Sequence, residues 1–391
     1  MDTYAAERKP ALYAGDHALR RAQHLRPLLE SHAESHDANG QLDGAVINAL
    51  HDNGLFGLWV PAALGGSELD PVRSLEVIEA IAYGDPSTAW VMMAVALTTG
   101  CAGAYLADEA VAQMFGGERF PVTAGQGSRP GRAVPVEGGY RLTGSWNFGS
   151  GLRHASYVHS LAQIEGRGLF RIFIVPVGQA EIDHASWDVM GLRGTGSLDY
   201  RFDDVFVPAE FSYASTSVSS SRGGRLYGLG TLQFALVGHC GWALGVARRL
   251  LDELVKSRAS RPFPPGDLEV FQSELAGAEA ALRSARAFVF DAWNDIWNAV
   301  AAGEEATRRQ RTGIRLATHN ATWSAVRVSE FVYRSAGTAS LRAGVIQRFY
   351  RDMHAGAQHV TSGPGVLREC GRELAGMAGD AQWVNLALVG G

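Results

Sequence analysis

The sequence lacks most of the marks that announce a function. Only three cysteines occur in 391 residues: Cys101, Cys240 and Cys370. They are scattered and form no CxxC pair, which argues against a thiolate metal centre or a disulfide framework and suits a reducing, cytoplasmic compartment. Charge is sparse, at 19% Asp, Glu, Lys and Arg, with a net value of −5. Such a balance offers no basic track for nucleic acid and no basic patch for an anionic membrane. No GxGxxG follows a strand, so a Rossmann dinucleotide site is not expected. The phosphate-cradling GxxxxGK[ST], the zinc-binding HExxH and the nucleophile elbow GxSxG are missing as well. The opening MDTYAAERKP has no apolar stretch of the signal-peptide kind. Long hydrophobic runs are also scarce. The one candidate, AWVMMAVALTTGCAGAYLA at 89–107, is rich in Ala, Gly and Thr and has no companion. It reads as a helix buried in a large core, with no membrane as partner.

Apolar residues make up 46% of the chain, enough for one large layered unit or two to three domains. Helical spacing of apolar residues runs through DHALRRAQHLRPLLESHAE (16–34) and LDGAVINALHDNG (42–54), the latter stopped by Asn-Gly. Asp70 before Pro71 and Asp85 before Pro86 are expected helix N-caps. The period then changes. FPVTAGQGS, YRLTGSWNFGSG, ASYVHSLAQIE, LFRIFIVPV, AEIDHASW and GSLDYRFDDVFVP alternate, or run β-branched and aromatic, with Gly-rich turns between them. A polar loop, SYASTSVSSSRGGR (212–225), follows. Long helical segments return from 226 to 257, 269 to 303, 304 to 336 and 342 to 374. The expected organisation is α+β: a helical domain at 1–118, a β domain at 119–213 and a helical bundle at 214–391.

Histidine is the residue with open questions. His32 and His36 are four apart, which is metal-ligand spacing on a helix. Their polar surroundings, SHAESHD, favour an exposed helix face, and no metal is expected. His354 and His359 lie in RDMHAGAQHVTSG. Five residues separate two side chains by about 140° around a helix, so they would not share a metal. One of them is free to point into a cavity.

Several stretches together resemble the acyl-CoA dehydrogenase superfamily over nearly the whole chain. GLWVPAALGG (57–66) is similar to its N-terminal VPxxxGG loop, and YRLTGSWNFGSGLRHAS (140–156) to its flavin-facing strand. WDVMGLRGTGSLDYRFDDVFVP (187–208) resembles its GLRGTxSxxxxFDDVxVP segment, the most specific of the set. WALGVARRLLDE (242–253) and RFYRDMHAG (348–356) are similar to two C-terminal helices. The resemblance implies an N-terminal helical domain, a middle β-barrel or sandwich and a C-terminal four-helix bundle.

The dehydrogenases of that superfamily use a glutamate base. Both positions where it stands are empty here: one holds His359-Val360, the other falls around Ala235-Leu236. RDMHAGAQH instead resembles the RDxxAGxxH stretch of the two-component flavin-dependent monooxygenase branch, similar to the oxygenase component of p-hydroxyphenylacetate hydroxylase. WNFGSG (146–151) is similar to that branch's WSFSSG. The resemblance implies reduced FAD, with FMN as the alternative, supplied by a separate NAD(P)H flavin reductase. It implies O2 and a small aromatic or heteroaromatic substrate such as a phenol, indole or polyketide. A dehydrogenase with a displaced base and an amino-sugar N-oxygenase are the other activities the fold admits.

By the same resemblance His359, Ser150 and His239 are the catalytic candidates. Imidazole suits proton handling near neutrality. Thr123, Trp146, Phe148, Ser150, Arg261, Gln272 and Gly337 are candidates for holding the cofactor, Trp146 and Phe148 being either flavin walls or core. His154 is expected to be structural or near the flavin rim. Thr98-Thr99 stand where the phenol-hydroxylating relatives carry a substrate-binding histidine. The superfamily's contacts to the far end of the cofactor cross a subunit boundary, so a homotetramer is expected.

Overall fold

The structure is a computed structural model that describes residues 16–258 and 267–390. Six helices come first: α1 Asp16–His24, α2 Arg26–Asn39, α3 Gly44–Asp52, α4 Pro71–Gly84, α5 Pro86–Tyr105 and α6 Asp108–Phe115. The expected caps form. Asp70 accepts from Arg73 N, and Asp85 from Thr88 N, each followed by proline in the first turn. Helix α3 stops at Asp52, where Asn53 caps it and Gly54 turns left-handed. Helix α5 is the apolar run of the sequence. It is buried at every position except Trp90, Ala94 and Leu97.

Seven strands follow: β1 Thr123–Val136, β2 Gly139–Gly149, β3 Tyr157–Ile164, β4 Phe170–Pro176, β5 Glu181–Asp183, β6 Leu198–Pro208 and β7 Ser212–Ala214. They form one mixed sheet in the order β5-β6-β2-β1-β3-β4-β7. The β1–β3 pair is parallel and the other pairs are antiparallel. β4 also approaches β6, with three strands between them in the sheet order, so the sheet curls toward a barrel. The polar loop after β7 is held to the end of α5. Arg222 donates to the carbonyls of Gly103 and Leu106 there, supplying two of the acceptors that a helix C-terminus leaves open.

The C-terminal part contains α7 Thr231–Arg258, α8 Asp267–Ala302, α9 Arg308–Ala336, α10 Val345–Gly356 and α11 Pro364–Leu374. A short hairpin, β8 Gln382–Val384 and β9 Ala387–Val389, closes the chain. Helix α7 is the central element. Its Gly238, Gly241 and Gly245 form one small-residue stripe. A Cβ at these positions would lie 2.9 Å from Met93 Sδ, 2.9 Å from Leu75 O and 2.4 Å from Glu79 O. The stripe is what lets α5 and α4 pack this close to α7.

Two expectations need correction. The segment 342–374 is not one helix. Pro364 lacks an N–H and begins a new helix, and Gly363 before it is extended, so the chain breaks at 357–363. His359 is therefore not helical; it sits at φ −65°, ψ 141° and caps a short 3-10 turn. Nor is SHAESHD solvent-facing throughout: Ser31 and Glu34 are exposed, but His36 has no exposed surface.

Candidate active site

The half-exposed positions of α5, Trp90, Ala94 and Leu97, fall on one helical face. Over its first three turns α7 shows the same pattern at Thr231, Leu232 and Ala235, with His239 one turn further on. The two faces border the candidate substrate cleft, and Trp90 joins them. Its ring meets His239 at 4.9 Å, Trp242 at 5.0 Å and His359 at 5.8 Å. His239 and His359 lie closest, with ring centroids 4.0 Å apart and planes tilted by 35°. Two long-separated segments, mid-α7 and the break after α10, thus place two imidazoles side by side.

Both imidazoles are held neutral. Burial pushes His359 down to about 4. Burial, and then the neighbouring His359, push His239 well below the ordinary histidine range. On His359, Nδ1 lies 2.9 Å from Thr361 Oγ1 and accepts from Thr361 N at 3.4 Å. An acceptor role for Nδ1 leaves the proton of the neutral ring on Nε2.

A chain of hydroxyls runs from the same cleft. Trp90 Nε1 donates to Ser150 Oγ at 3.2 Å. Ser150 Oγ lies 2.8 Å from Ser197 Oγ, which lies 2.7 Å from Thr195 Oγ1, and Thr195 donates to Leu192 O at 2.8 Å. The loop that carries Leu192 and Thr195 is clamped by the Arg-Asp pair of α10. Arg351 pairs with Asp37 at 2.7 Å and donates to Met190 O at 2.7 Å. Asp352 accepts from Leu192 N at 2.6 Å. Helix and loop touch so closely that a Cβ at Gly191 would lie 2.1 Å from Arg351 O. Asp352 is fully buried, and burial raises its carboxyl to about 7 against the pull of the Leu192 N–H.

The other sequence candidates separate into groups. Thr123 is fully buried at the start of β1, and its Oγ1 has no hydrogen-bond partner. Phe148 is 58% exposed and sits at φ 65°, a left-handed backbone that a phenylalanine rarely adopts. Its ring stands edge-on to Trp187 at 6.1 Å. Trp146, two residues earlier, is core: it stacks on Tyr200 at 5.5 Å and donates to Leu161 O at 3.0 Å. Gln272 and Gly337 are exposed on the first turns of α8 and at the end of α9. Arg261 lies outside the described residues. His154 is half-buried in a 3-10 turn, and His354 leans on Tyr350 and Ser329, facing away from the histidine pair.

The α5 threonines have no free hydroxyl to offer. Thr98 donates to Thr123 O and Thr99 to Pro121 O. Sequence reasoning missed Trp90, Thr195, Ser197 and Asp352. The last three were visible only as parts of quoted motifs, and nothing local marks Trp90.

An unpartnered buried hydroxyl at Thr123, a free aromatic face at Phe148 and a half-sealed hydroxyl at Ser150 fit a flavin ring laid against the β2 end of the sheet. Comparison with known proteins supports a flavin as the cofactor. Family models described as acyl-CoA dehydrogenase, N-terminal domain, and acyl-CoA dehydrogenase, C-terminal domain, match residues 22–114 and 237–363. Indole-3-acetate monooxygenase of Pseudomonas putida is 31% identical over 357 residues, covering 86% of this chain and 87% of that protein. The flavin-dependent monooxygenase, oxygenase subunit HsaA, of Rhodococcus jostii is 27% identical, covering 88% of this chain and 94% of its own. XiaF from Streptomyces sp., solved in complex with FADH2 and glycerol, superposes with a TM-score of 0.86 at 22% identity, over 93% of this chain and 96% of that one. On this combined evidence the chain belongs to the acyl-CoA dehydrogenase superfamily, among its flavin-dependent monooxygenases.

Proposed function

We propose that this chain is the oxygenase component of a two-component system that hydroxylates a small aromatic or heteroaromatic compound bearing an N–H or O–H group. The observation that carries the reading is the His239–His359 pair, packed against Trp90, whose Nε1 donates to Ser150 Oγ. A dehydrogenase needs a carboxylate base there, and no carboxylate is among the ring or hydrogen-bond contacts of His239 and His359 in the described residues.

Reduced flavin, when bound, supplies two electrons to O2, so that one oxygen atom enters the substrate and the other leaves as water. Thr123 Oγ1, the Phe148 ring and Ser150 Oγ are the groups that would hold the flavin, with Ser150 facing its N5 edge. Ala94, Leu97, Leu232 and Ala235 give the substrate apolar walls and exclude water. His359 presents Nε2–H as the donor of the pair. His239 stands next to it as the acceptor, and the pair holds at most one extra proton, because a second imidazolium at this distance is strongly disfavoured. With both α5 threonines engaged on backbone carbonyls, a phenolate has no histidine on α5 to meet. A neutral ring N–H, as in an indole, would donate to His239, whereas a phenolate would have the single His359 donor to meet its charge.

FAD is preferred to FMN because, by the sequence resemblance, Gln272 and Gly337 correspond to positions that contact the far end of the cofactor in superfamily members. Helix α8 starts, and α9 ends, near Arg258, which lies about 28 Å along α7 from His239. That separation supports a tetramer in which these residues serve a neighbouring subunit's cofactor.

The test is to mix the chain anaerobically with photoreduced FAD or FMN, add oxygenated buffer with an indole or a phenol, and analyse the product. Hydroxylated product carrying one atom of labelled O2, formed with an indole, is the expected result. Reoxidation with no product from either ring, together with flavin reduction by an acyl-thioester, would overturn the proposal in favour of dehydrogenation.

A further inference from the structure

A second polar cluster lies outside the cleft, on α2 and the start of α3. His32 Nδ1 is 2.7 Å from Asp43 Oδ2, and His36 Nε2 is 3.9 Å from the same oxygen. The two rings stack with centroids 6.1 Å apart and planes 22° apart. One ligand atom from each of His32, His36 and Asp43 falls within 4.8 Å of the others.

Two further observations distinguish this cluster from an ordinary ion pair. The first is that His36 is completely buried, yet its Nε2 has no hydrogen-bond partner. At 3.9 Å, Asp43 is too far to serve as one. The second lies on the other side of the ring, where His36 Nδ1 is 3.0 Å from Asp85 Oδ2. That carboxylate is fixed in turn by Thr88 N at 3.0 Å and Thr88 Oγ1 at 2.6 Å. A carboxylate on Nδ1 holds the proton there and leaves Nε2 as a bare lone pair aimed at Asp43. This is the carboxylate–histidine arrangement that orients a metal-ligating imidazole.

We propose that His32, His36 and Asp43 form a binding site for a divalent transition-metal ion of the zinc class. Two imidazole nitrogens and one carboxylate oxygen match zinc or cobalt, whereas calcium and magnesium prefer oxygen alone. Tetrahedral bonds of about 2.1 Å place ligand atoms about 3.4 Å apart. The 2.7 Å contact therefore opens by about 0.7 Å, the 3.9 Å contact closes by about 0.5 Å, and the two imidazole nitrogens, within 4.8 Å of each other, close by up to about 1.4 Å. His32 and Asp43 are 30% and 27% exposed, so water can take the fourth position and the ion has a way in.

The ion would be a brace and not a catalyst. Through Asp85 it joins α2 to the first turn of α5. The residue after His36 is Asp37, whose carboxylate holds Arg351 and whose carbonyl accepts from Arg193. A Cβ at Gly194 would lie 2.8 Å from His36 Cβ, so the ion backs directly onto the loop that carries Thr195.

The experiment uses tag-free, chelator-treated full chain titrated with Co2+ alone and with Zn2+ alone. One ion per chain is expected, with intense ligand-field absorption of tetrahedral Co2+ and a Zn2+-dependent rise in melting temperature. His32→Ala and Asp43→Asn should each weaken binding at least 100-fold and abolish the thermal shift. His32 is half-exposed, and Asn serves well at a helix N-cap, so both variants should fold. His17→Ala, on the exposed face of α1, should bind as the parent does. Absence of stoichiometric binding, or binding and thermal shift that survive both His32→Ala and Asp43→Asn, would overturn the site.

Discussion

The imidazoles of His239 and His359 meet at 4.0 Å although 120 residues separate them along the chain. Neither ring has a carboxylate partner among its hydrogen bonds, and both are kept neutral by burial. In the proposed function, proton handling at this site therefore rests on a pair of neutral imidazoles.

Replacing His359 by alanine removes the Nε2–H that faces the cleft. Turnover is expected to fall about 100-fold or more, in the range of general acid–base contributions, while the affinity for reduced flavin stays within a few-fold. Steady-state product formation and anaerobic flavin titration separate the two. Equal losses in both would place His359 in flavin binding instead.

Ser150→Ala breaks the hydroxyl chain between Trp90 and Ser197. The expected change is in coupling: more hydrogen peroxide and less hydroxylated product per reduced flavin consumed, by a factor of roughly 2 to 10 for one lost hydrogen bond. Quantifying peroxide against product tests this, and an unchanged ratio would remove Ser150 from the reaction.

Phe148 stores strain at φ 65° while leaving its ring 58% exposed. Phe148→Gly relieves that strain at little cost in burial. Stability is expected to rise by about 1 kcal/mol while flavin affinity falls. Urea unfolding and flavin titration would show opposite signs; a loss of both would mean the ring has a packing role in the chain itself.

The pH dependence of stability divides between two groups. His359 ionises near 4 in the folded chain and near 6.5 when unfolded. Its contribution is whole above about 6.5 and is lost as pH falls toward 4. Asp352 runs the other way. Burial raises it to about 7, so the stability it allows at low pH is lost as pH rises through about 4 to 7. The advantage of His359→Asn over the parent should therefore grow toward low pH, and that of Asp352→Asn toward neutral pH. Parallel urea midpoints across the range would contradict both.

The sequence by itself determined the element types and the family. Helical periods at both ends, alternation between them and caps such as Asp70 and Asp85 are local signals, because each depends on residues within a turn or two. The GLRGT and RDMHAG stretches were legible as motifs for the same reason. Tertiary structure alone decided what those motifs do. Arg351 and Asp352 clamp the loop at 190–192, and Gly191 exists because α10 touches that backbone. Trp146 and Phe148 share one strand pattern, yet a left-handed residue sends one ring into the core and leaves the other free. His36 looks exposed in its polar neighbourhood and is fully buried, because α5 and the 193–195 turn close over it. Which partners His239 and His359 face depends on contacts between segments more than a hundred residues apart. No local spacing records such a contact, since it forms only when packing around α7 brings the segments together.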